Sequence, residues 1–315
     1  MAAIAAIMGT AVSVAQQIAV VSESGTTSVY QTLTEAIEEA DPGSVIYLPG
    51  GGFQIHDSVK ITKRLSIIGI GHKAKNENAD GNTSISGNLF FNEGSSGSSL
   101  MGCYITGNVN IGADGVVNNV LVKYCNLNSV SIKNKDCSGT TVNQNYIRSG
   151  SSCSNAEVTF TNNIAYYIIN VEGGRILNNL FTYYNYGPGK LLYNCFGTIV
   201  NNIFITSVPT SSGFDSSNST AYGNMGKRSF GEDFISITAA WTDVFVNYNG
   251  GAISPASDFH FKPDYQQYSD CGIYGGTGFS DGALPPVPFI VSKSIPEQTD
   301  ASGKLNIKIR VKAGE

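Results

Sequence analysis

Residues 142–147 read Val-Asn-Gln-Asn-Tyr-Ile, 160–165 Phe-Thr-Asn-Asn-Ile-Ala, 176–181 Ile-Leu-Asn-Asn-Leu-Phe and 199–204 Ile-Val-Asn-Asn-Ile-Phe. Each copy is an apolar residue, two free positions, Asn, one free position and a second apolar residue. Upstream, 100–105 and 122–127 repeat the pattern with Cys103 and Cys125 at the central place. All twelve flanking positions are apolar, and the central residues stand 22, 20, 18, 16 and 23 apart. A period near 20 is too short for helix–turn–helix repeats, which need about 34 residues, and marks a solenoid of stacked coils.

The two apolar positions are separated by an odd number of residues, whereas strand alternation alone gives an even one, so the chain bends between them. Asn tolerates the left-handed backbone of a tight bend better than other non-glycine residues. Coils stacked about 4.8 Å apart also let Asn amides hydrogen-bond along the axis. Leu89/Phe91, Val109/Ile111 and Val130/Ile132 are alternating pairs 20 and 21 residues apart, a second strand in each coil. The pattern therefore predicts an all-β, single-stranded parallel β-helix. Asn145, Asn163, Asn179 and Asn202 should form an inward or turn-lining ladder, with Phe160, Ile176 and Ile199 inside. Removing the Asn179 amide should cost about 1–3 kcal/mol.

Composition agrees. Charged residues are 14% of the chain, against about 25% in an average domain. Buried parallel strands need few charges, and the 36 glycines serve turns. A net charge of −5 argues against nucleic acid as a partner, because its binders carry basic stripes.

Residues 1–15 form an apolar run ending Ser13-Val14-Ala15, a small-x-small cleavage pattern that predicts a signal peptide and export to the cell surface, periplasm or medium. The run is too short to span a bilayer. Next, Leu33, Ala36, Ile37 and Ala40 fall at helical spacing behind Thr32 and Glu35, a capping box, and Pro42-Gly43 ends the helix. Such a helix can close the end of a solenoid. The expected organisation is a signal peptide over 1–15, a capped β-helix over 16–290 with a Ser/Gly/Asn-rich loop excursion near 207–235, and an edge strand or tail over 291–315. In that tail residues 305–312 alternate apolar and polar, with Lys and Arg on one face.

The segment 30–50, followed by Val59-Lys-Ile-Thr-Lys-Arg-Leu-Ser-Ile-Ile-Gly-Ile-Gly71, resembles the cap and first coil of pectin-lyase-like right-handed parallel β-helix proteins. The stretches 258–263, 271–276 and 284–288 are similar to endings of secreted β-helix proteins of Bacteroidetes-type bacteria. The resemblance implies a right-handed β-helix and secretion. It implies no particular reaction, since that superfamily holds lyases, hydrolases, esterases and proteins without known chemistry.

The chemistry of such folds needs paired Asp for hydrolysis, or Ca²⁺-binding Asp with Arg or Lys for β-elimination. The chain has no Asp-Asp, Asn-Thr-Asp or Gly-His-Gly, and its three histidines, His56, His72 and His260, lie far apart. No Gly-x-Ser-x-Gly elbow, phosphate loop or metal-spaced Cys/His cluster is present, so neither a metal nor a cofactor is expected. Between Asp136 and Asp215 the only carboxylates are Glu157 and Glu172. Their registers place them on adjacent coils with Arg175 close by. They are a candidate acid–base pair, or a surface ion-pair group worth under about 1 kcal/mol.

Tyrosines are the stronger signal. Six of the sixteen fall between 166 and 193, and Tyr167 and Tyr183 share a register four after the central Asn. Tyr166, Tyr167, Tyr183, Tyr184 and Tyr186 are candidate contacts for a polysaccharide, because a Tyr ring offers an apolar face and a hydroxyl; core filling is the competing role. Cys103 and Cys125 should lie one coil apart, as a disulfide or, by the geometry of the bend, a reduced ladder. Three readings result: an exported glycan-binding solenoid without catalysis, a polysaccharide lyase or glycoside hydrolase, and a structural stalk, adhesin or fibre element.

Overall fold

A computed structural model describes residues 17–313, apart from 74–80, 183–190, 206–218, 228–232, 252, 254–256, 280–283, 286–287, 295, 297, 300 and 301. The chain winds into a parallel β-solenoid of about seven turns, 46% strand and 7% helix.

Three parallel sheets form its walls. Sheet 1 stacks Val45–Tyr47, Ser66–Ile68, Ser99–Met101, Leu121–Lys123, Thr140–Asn143 and Val158–Thr161. It continues through 175–177, 198–200 and Thr220–Tyr222. Sheet 2 follows each bend: Gly51–Gln54, Thr83–Ser86, Tyr104–Ile105 and Asn126–Leu127, then 146–147, 164–165, Leu180–Phe181, Ile203–Phe204 and Met225–Gly226. Sheet 3 runs from Leu89–Phe91 through Asn108–Ile111 and Ser129–Ile132 to 150–152, 167–169 and 192–193.

The sequence code becomes packing directly. The apolar residue three before each central position points inward from sheet 1: Leu100, Val122, Val142, Phe160, Ile176 and Ile199 are all buried. The residue two after it points inward from sheet 2: Ile105, Leu127, Ile147, Ala165, Phe181 and Phe204. Phe181 and Phe204 stack at 5.0 Å between ring centroids. Each large apolar side chain so removed from water contributes about 1.5–3 kcal/mol.

Asn145, Asn163, Asn179 and Asn202 form the expected ladder and are fully buried. Asn163 Nδ2 donates to Asn179 Oδ1 at 3.0 Å, and Asn179 Nδ2 to Asn202 Oδ1 at 3.0 Å. The same Oδ1 atoms accept the main-chain N–H of the preceding rung, at 2.9 Å from Asn163 and from Asn179. A fifth rung, Asn224, accepts from Asn202 at 2.9 Å. It belongs to a further coil over 219–226, inside the stretch that reads as a loop excursion; most of that excursion lies outside the described residues.

One detail of the bend differs from the sequence expectation. The ladder asparagines do not themselves take the left-handed conformation; the residue before each does. Gly102, Tyr124, Gln144, Asn162, Asn178, Asn201 and Gly223 have φ between 54° and 67°. The left-handed residue turns the chain, which aims the next side chain back along the axis.

Cysteines continue the ladder in a reduced form. All six are free and buried. Cys125 Sγ donates to the carbonyls of Lys123 at 3.2 Å and Leu100 at 3.7 Å. Asn145 Nδ2 uses the equivalent carbonyls, Asn143 and Val122. A thiol has no counterpart of Oδ1, so the amide-to-amide chain stops at Asn145.

The predicted N-terminal helix spans Leu33–Glu39, and both bonds of the capping box form between Thr32 and Glu35. Leu33, Ala36 and Ile37 are buried over the first coil. Ahead of it, Ile18–Val21 pairs antiparallel with Thr27–Tyr30 and Val45–Tyr47. The tail forms an antiparallel pair, Pro288–Ser294 with Lys308–Ala313. The expected signal peptide lies outside the described residues.

His72, beside this end of the solenoid, is buried, and its Nε2 has no hydrogen-bond partner. Burial, and then the charge of Lys73, lower its pKa to about 3. The folded state therefore keeps the ring neutral while the unfolded chain protonates below about 6.5. The stability this contributes is present above pH 6.5 and is lost toward pH 3, by up to about 1.4 kcal/mol per pH unit. Urea unfolding at pH 7 and pH 5 should show this loss in the wild type and a smaller one in His72→Gln. Equal losses in both proteins would place the ring in contact with water.

Candidate functional site

The outside of the solenoid is not uniform, because the C-terminal segment covers part of it. The residue after each ladder position faces outward from sheet 2. In the later coils these are Ile164, Leu180, Ile203 and Met225, all buried. They join Trp241, Phe245, Phe259, Phe261 and Ile273 in a second apolar cluster. Trp241 donates Nε1–H to the carbonyl of Ile205 at 2.7 Å. The chain then runs back along the left-handed column. Gly272 N–H donates to Asn201 O at 2.7 Å, and Asn162 Nδ2 donates to the carbonyls of Ile273 and Gly275 at 2.9 and 2.8 Å.

In the earlier coils the same outer face carries Tyr104, Asn126 and Tyr146, all partly exposed. Arg148 crosses them. It donates to Asn126 Oδ1 and the carbonyl of Ile105, both at 2.7 Å, and lies 4.7 Å from the Tyr104 ring centroid. Three coils are clamped by one guanidinium whose donors are spent on neutral acceptors. Burial, and then the Tyr166 hydroxyl, raise the pKa of Tyr146. Sequence reading passed over Tyr104, Tyr146 and Arg148. The available signal was their position, one or three after a central residue.

Sheet 3 presents a different surface. Its outward row, read along the axis, is Phe90, Asn110, Ser131, Ser152, Ile169 and Tyr193. Beside it run Asn108, Ser129, Gly150 and Tyr167. Asn108 Oδ1 accepts from Asn128 Nδ2 at 2.8 Å and lies 2.9 Å from Ser129 Oγ. Ser131 and Ser152 hydroxyls bond to no group among the described residues. Tyr193 is 41% exposed.

Tyr167 is held in a specific pose. A methyl group placed on Gly150 would lie 2.3 Å from Cδ2, Cε2 and Cζ of the Tyr167 ring alike. Three equal distances mean that the ring lies face-down over the Gly150 backbone, and the residue as a whole is partly exposed. Tyr166, the neighbouring candidate, sits at the corner between sheets 2 and 3 and is half-buried. Tyr183, Tyr184 and Tyr186 lie outside the described residues, so the Tyr167–Tyr183 column expected from register does too.

Glu157 and Glu172 follow Ala156 and Val171, which pair across adjacent coils, and Arg175 pairs with Thr159. All three are exposed, and no hydrogen bond or ion pair links them among the described residues. Glu172 instead acts on Lys135, whose pKa is raised first by its bond to Asp136 and in lesser part by Glu172. Open, solvated carboxylates of this kind lack the burial that tunes a general acid.

The remaining polar cluster is in the C-terminal segment, where His260 Nδ1 lies 2.7 Å from Asp258 Oδ1 and the ring stacks on Tyr274. Among the described residues no group of three or more His, Cys, Asp or Glu is placed to hold a metal ion, and no helix is long and apolar enough to cross a membrane. The chain matches no protein-family model, no curated protein and no solved structure.

Proposed function

We propose that this solenoid is an exported protein that binds glycan along the outer face of sheet 3 without transforming it. The observation carrying the reading is the Tyr167 ring laid flat on Gly150, with Tyr166 and the exposed Tyr193 beside it. A partly exposed aromatic laid flat on the sheet suits the apolar face of a sugar ring, and the adjoining Ser and Asn side chains suit its hydroxyls. Export rests on residues 1–15, and membership of the pectin-lyase-like superfamily on the resemblance of the cap and first coil together with the parallel solenoid.

A second reading, a polysaccharide lyase or hydrolase, draws on the adjacency of Glu157 and Glu172 with Arg175 close by. A glycan array run beside reducing-end and unsaturated-product assays on the same polysaccharides separates the two. Retention on the array with no product is expected. Product that disappears in Glu157→Gln would establish the enzyme instead, and absence of both retention and product would leave the structural role.

A further inference from the structure

Resting on that glycan-binding reading, we infer that the ligand is a neutral polysaccharide, lying along the solenoid axis with one pyranose ring stacked on Tyr167. Two independent features carry this. The first is charge. From Asn108 to Tyr193 the outward positions of sheet 3 are Asn, Ser, Gly, Tyr and Ile, with no ionisable group except the phenols. Two of the cations bordering this face are already engaged, while Lys133, directly after Ile132, is exposed at its edge. Arg148 is tied to Asn126, Ile105 and Thr106, and Lys60 lies 3.4 Å over the Phe90 ring with its amine on the carbonyl of Asp57. Along the strip of Asn, Ser and Gly itself an anionic chain would place its carboxylates or sulfates against neutral side chains, with Lys133 at the edge as the one counter-charge at hand. Burying them there carries a desolvation cost that a neutral chain avoids.

The second feature is shape. Gly150 is the one position in its row where a side chain would collide with the Tyr167 ring, so the missing Cβ keeps the ring flush with the sheet. A flush ring forms a step at the end of a low strip made by Ser129, Ser131 and Ser152. The strip is flat across the coils, since rungs are about 4.8 Å apart and carry short side chains. An extended chain can therefore run over it and meet the ring face-on. Ser131 and Ser152 hydroxyls, free of protein partners among the described residues, are available to the sugar hydroxyls.

Affinity gel electrophoresis of the full chain tests this, with galactan, xyloglucan and mannan as neutral polymers and polygalacturonate and alginate as anionic ones. Wild-type protein should be retarded by at least one neutral polymer and by neither anionic one, at low salt as well as high. Tyr167→Ala should weaken the retardation about three- to tenfold, the loss of one aromatic contact, while Tyr167→Phe keeps it. Gly150→Ala, which lifts the ring, should behave like Tyr167→Ala; thermal melts confirm that each variant is folded. Retardation by anionic polymers alone would overturn the neutral assignment and leave flank binding standing. Neutral retardation unchanged in Tyr167→Ala would overturn the Tyr167 platform, and no retardation by any polymer would overturn the glycan reading itself.

Discussion

Asn179→Ala is expected to destabilise the protein by about 3–5 kcal/mol, above the range of about 1–3 kcal/mol expected from the sequence and more than any outward-facing substitution. The reason is the number of groups left without partners. Asn179 Oδ1 receives both the main-chain N–H and the Nδ2 of Asn163, while its own Nδ2 donates to the carbonyls of Phe160 and Leu177 and to Asn202 Oδ1. Alanine strands at least one buried N–H and one buried C=O, each worth about 1–3 kcal/mol, and opens a small void beside Phe160. The rungs are also coupled, because every amide both donates and accepts along the axis. Thr141→Ala, on the outer face of sheet 1, is the control and should fall within about 0.5 kcal/mol of wild type. Denaturant unfolding measures both, and hydrogen exchange at Asn163 locates the damage. An Asn179→Ala loss below about 1 kcal/mol would mean that water enters the turn and replaces the amide.

The Asn-Asn pairs explain what could and could not be read in advance. In 162–163, 178–179 and 201–202 two asparagines do two jobs: the first adopts the left-handed turn and the second builds the ladder. Sequence alone shows an Asn at a bend and cannot separate the roles. Tyr124 and Gln144 at the first position show that the backbone there is imposed by stacking, since side chains of that size resist positive φ. Asn224 escaped the pattern because Gly226 stands where the second apolar residue is expected, although the register with Phe204 is kept. Repeats made the solenoid legible; the second cluster over sheet 2 has no repeat, and Trp241, Phe245 and Phe261 find their places only through tertiary contact.

The candidate site was half legible for a similar reason. Counting from Asn163 gave Tyr167 its register but left outward and core placement both open, and its pose depends on Gly150 in the preceding coil. That pairing follows irregularities in the strand containing both 146–147 and 150–152. Tyr193 was counted among the tyrosines but not placed, because it stands fourteen residues after Asn179 while its partner Ile169 stands six after Asn163, so counting from the ladder does not align the two coils. Fold-level periodicity survives such shifts, whereas the identity of a face does not.

Rising pH above about 9 should destabilise this protein steeply through its buried thiols. Burial raises the thiols of Cys103 and Cys153 well above their ordinary value, that of Cys125 to about 12 and that of Cys195 to about 11. In the unfolded chain they ionise near 9.0. Below that pH both states hold the proton and stability is unaffected. Above it the unfolded state releases protons that the folded state retains, so stability falls as pH rises, by about 1.4 kcal/mol per pH unit for each thiol. Cys103, Cys125 and Cys153, wholly buried, together give a slope of about 4 kcal/mol per pH unit that ends only near their folded pKa values. Between pH 9 and 10 this amounts to about 3 kcal/mol, comparable to a large-to-small core substitution. Urea midpoints at pH 8, 9 and 10 should drop steeply over the last step, and a Cys103→Ala, Cys153→Ala protein should show a shallower slope despite a lower starting stability. Iodoacetamide should label the wild type only as it unfolds. A flat profile with thiols alkylated in the native state at pH 9 would show that the ladder opens to solvent, and the Cys rungs would then be a weak seam between the cap and the asparagine-bonded coils.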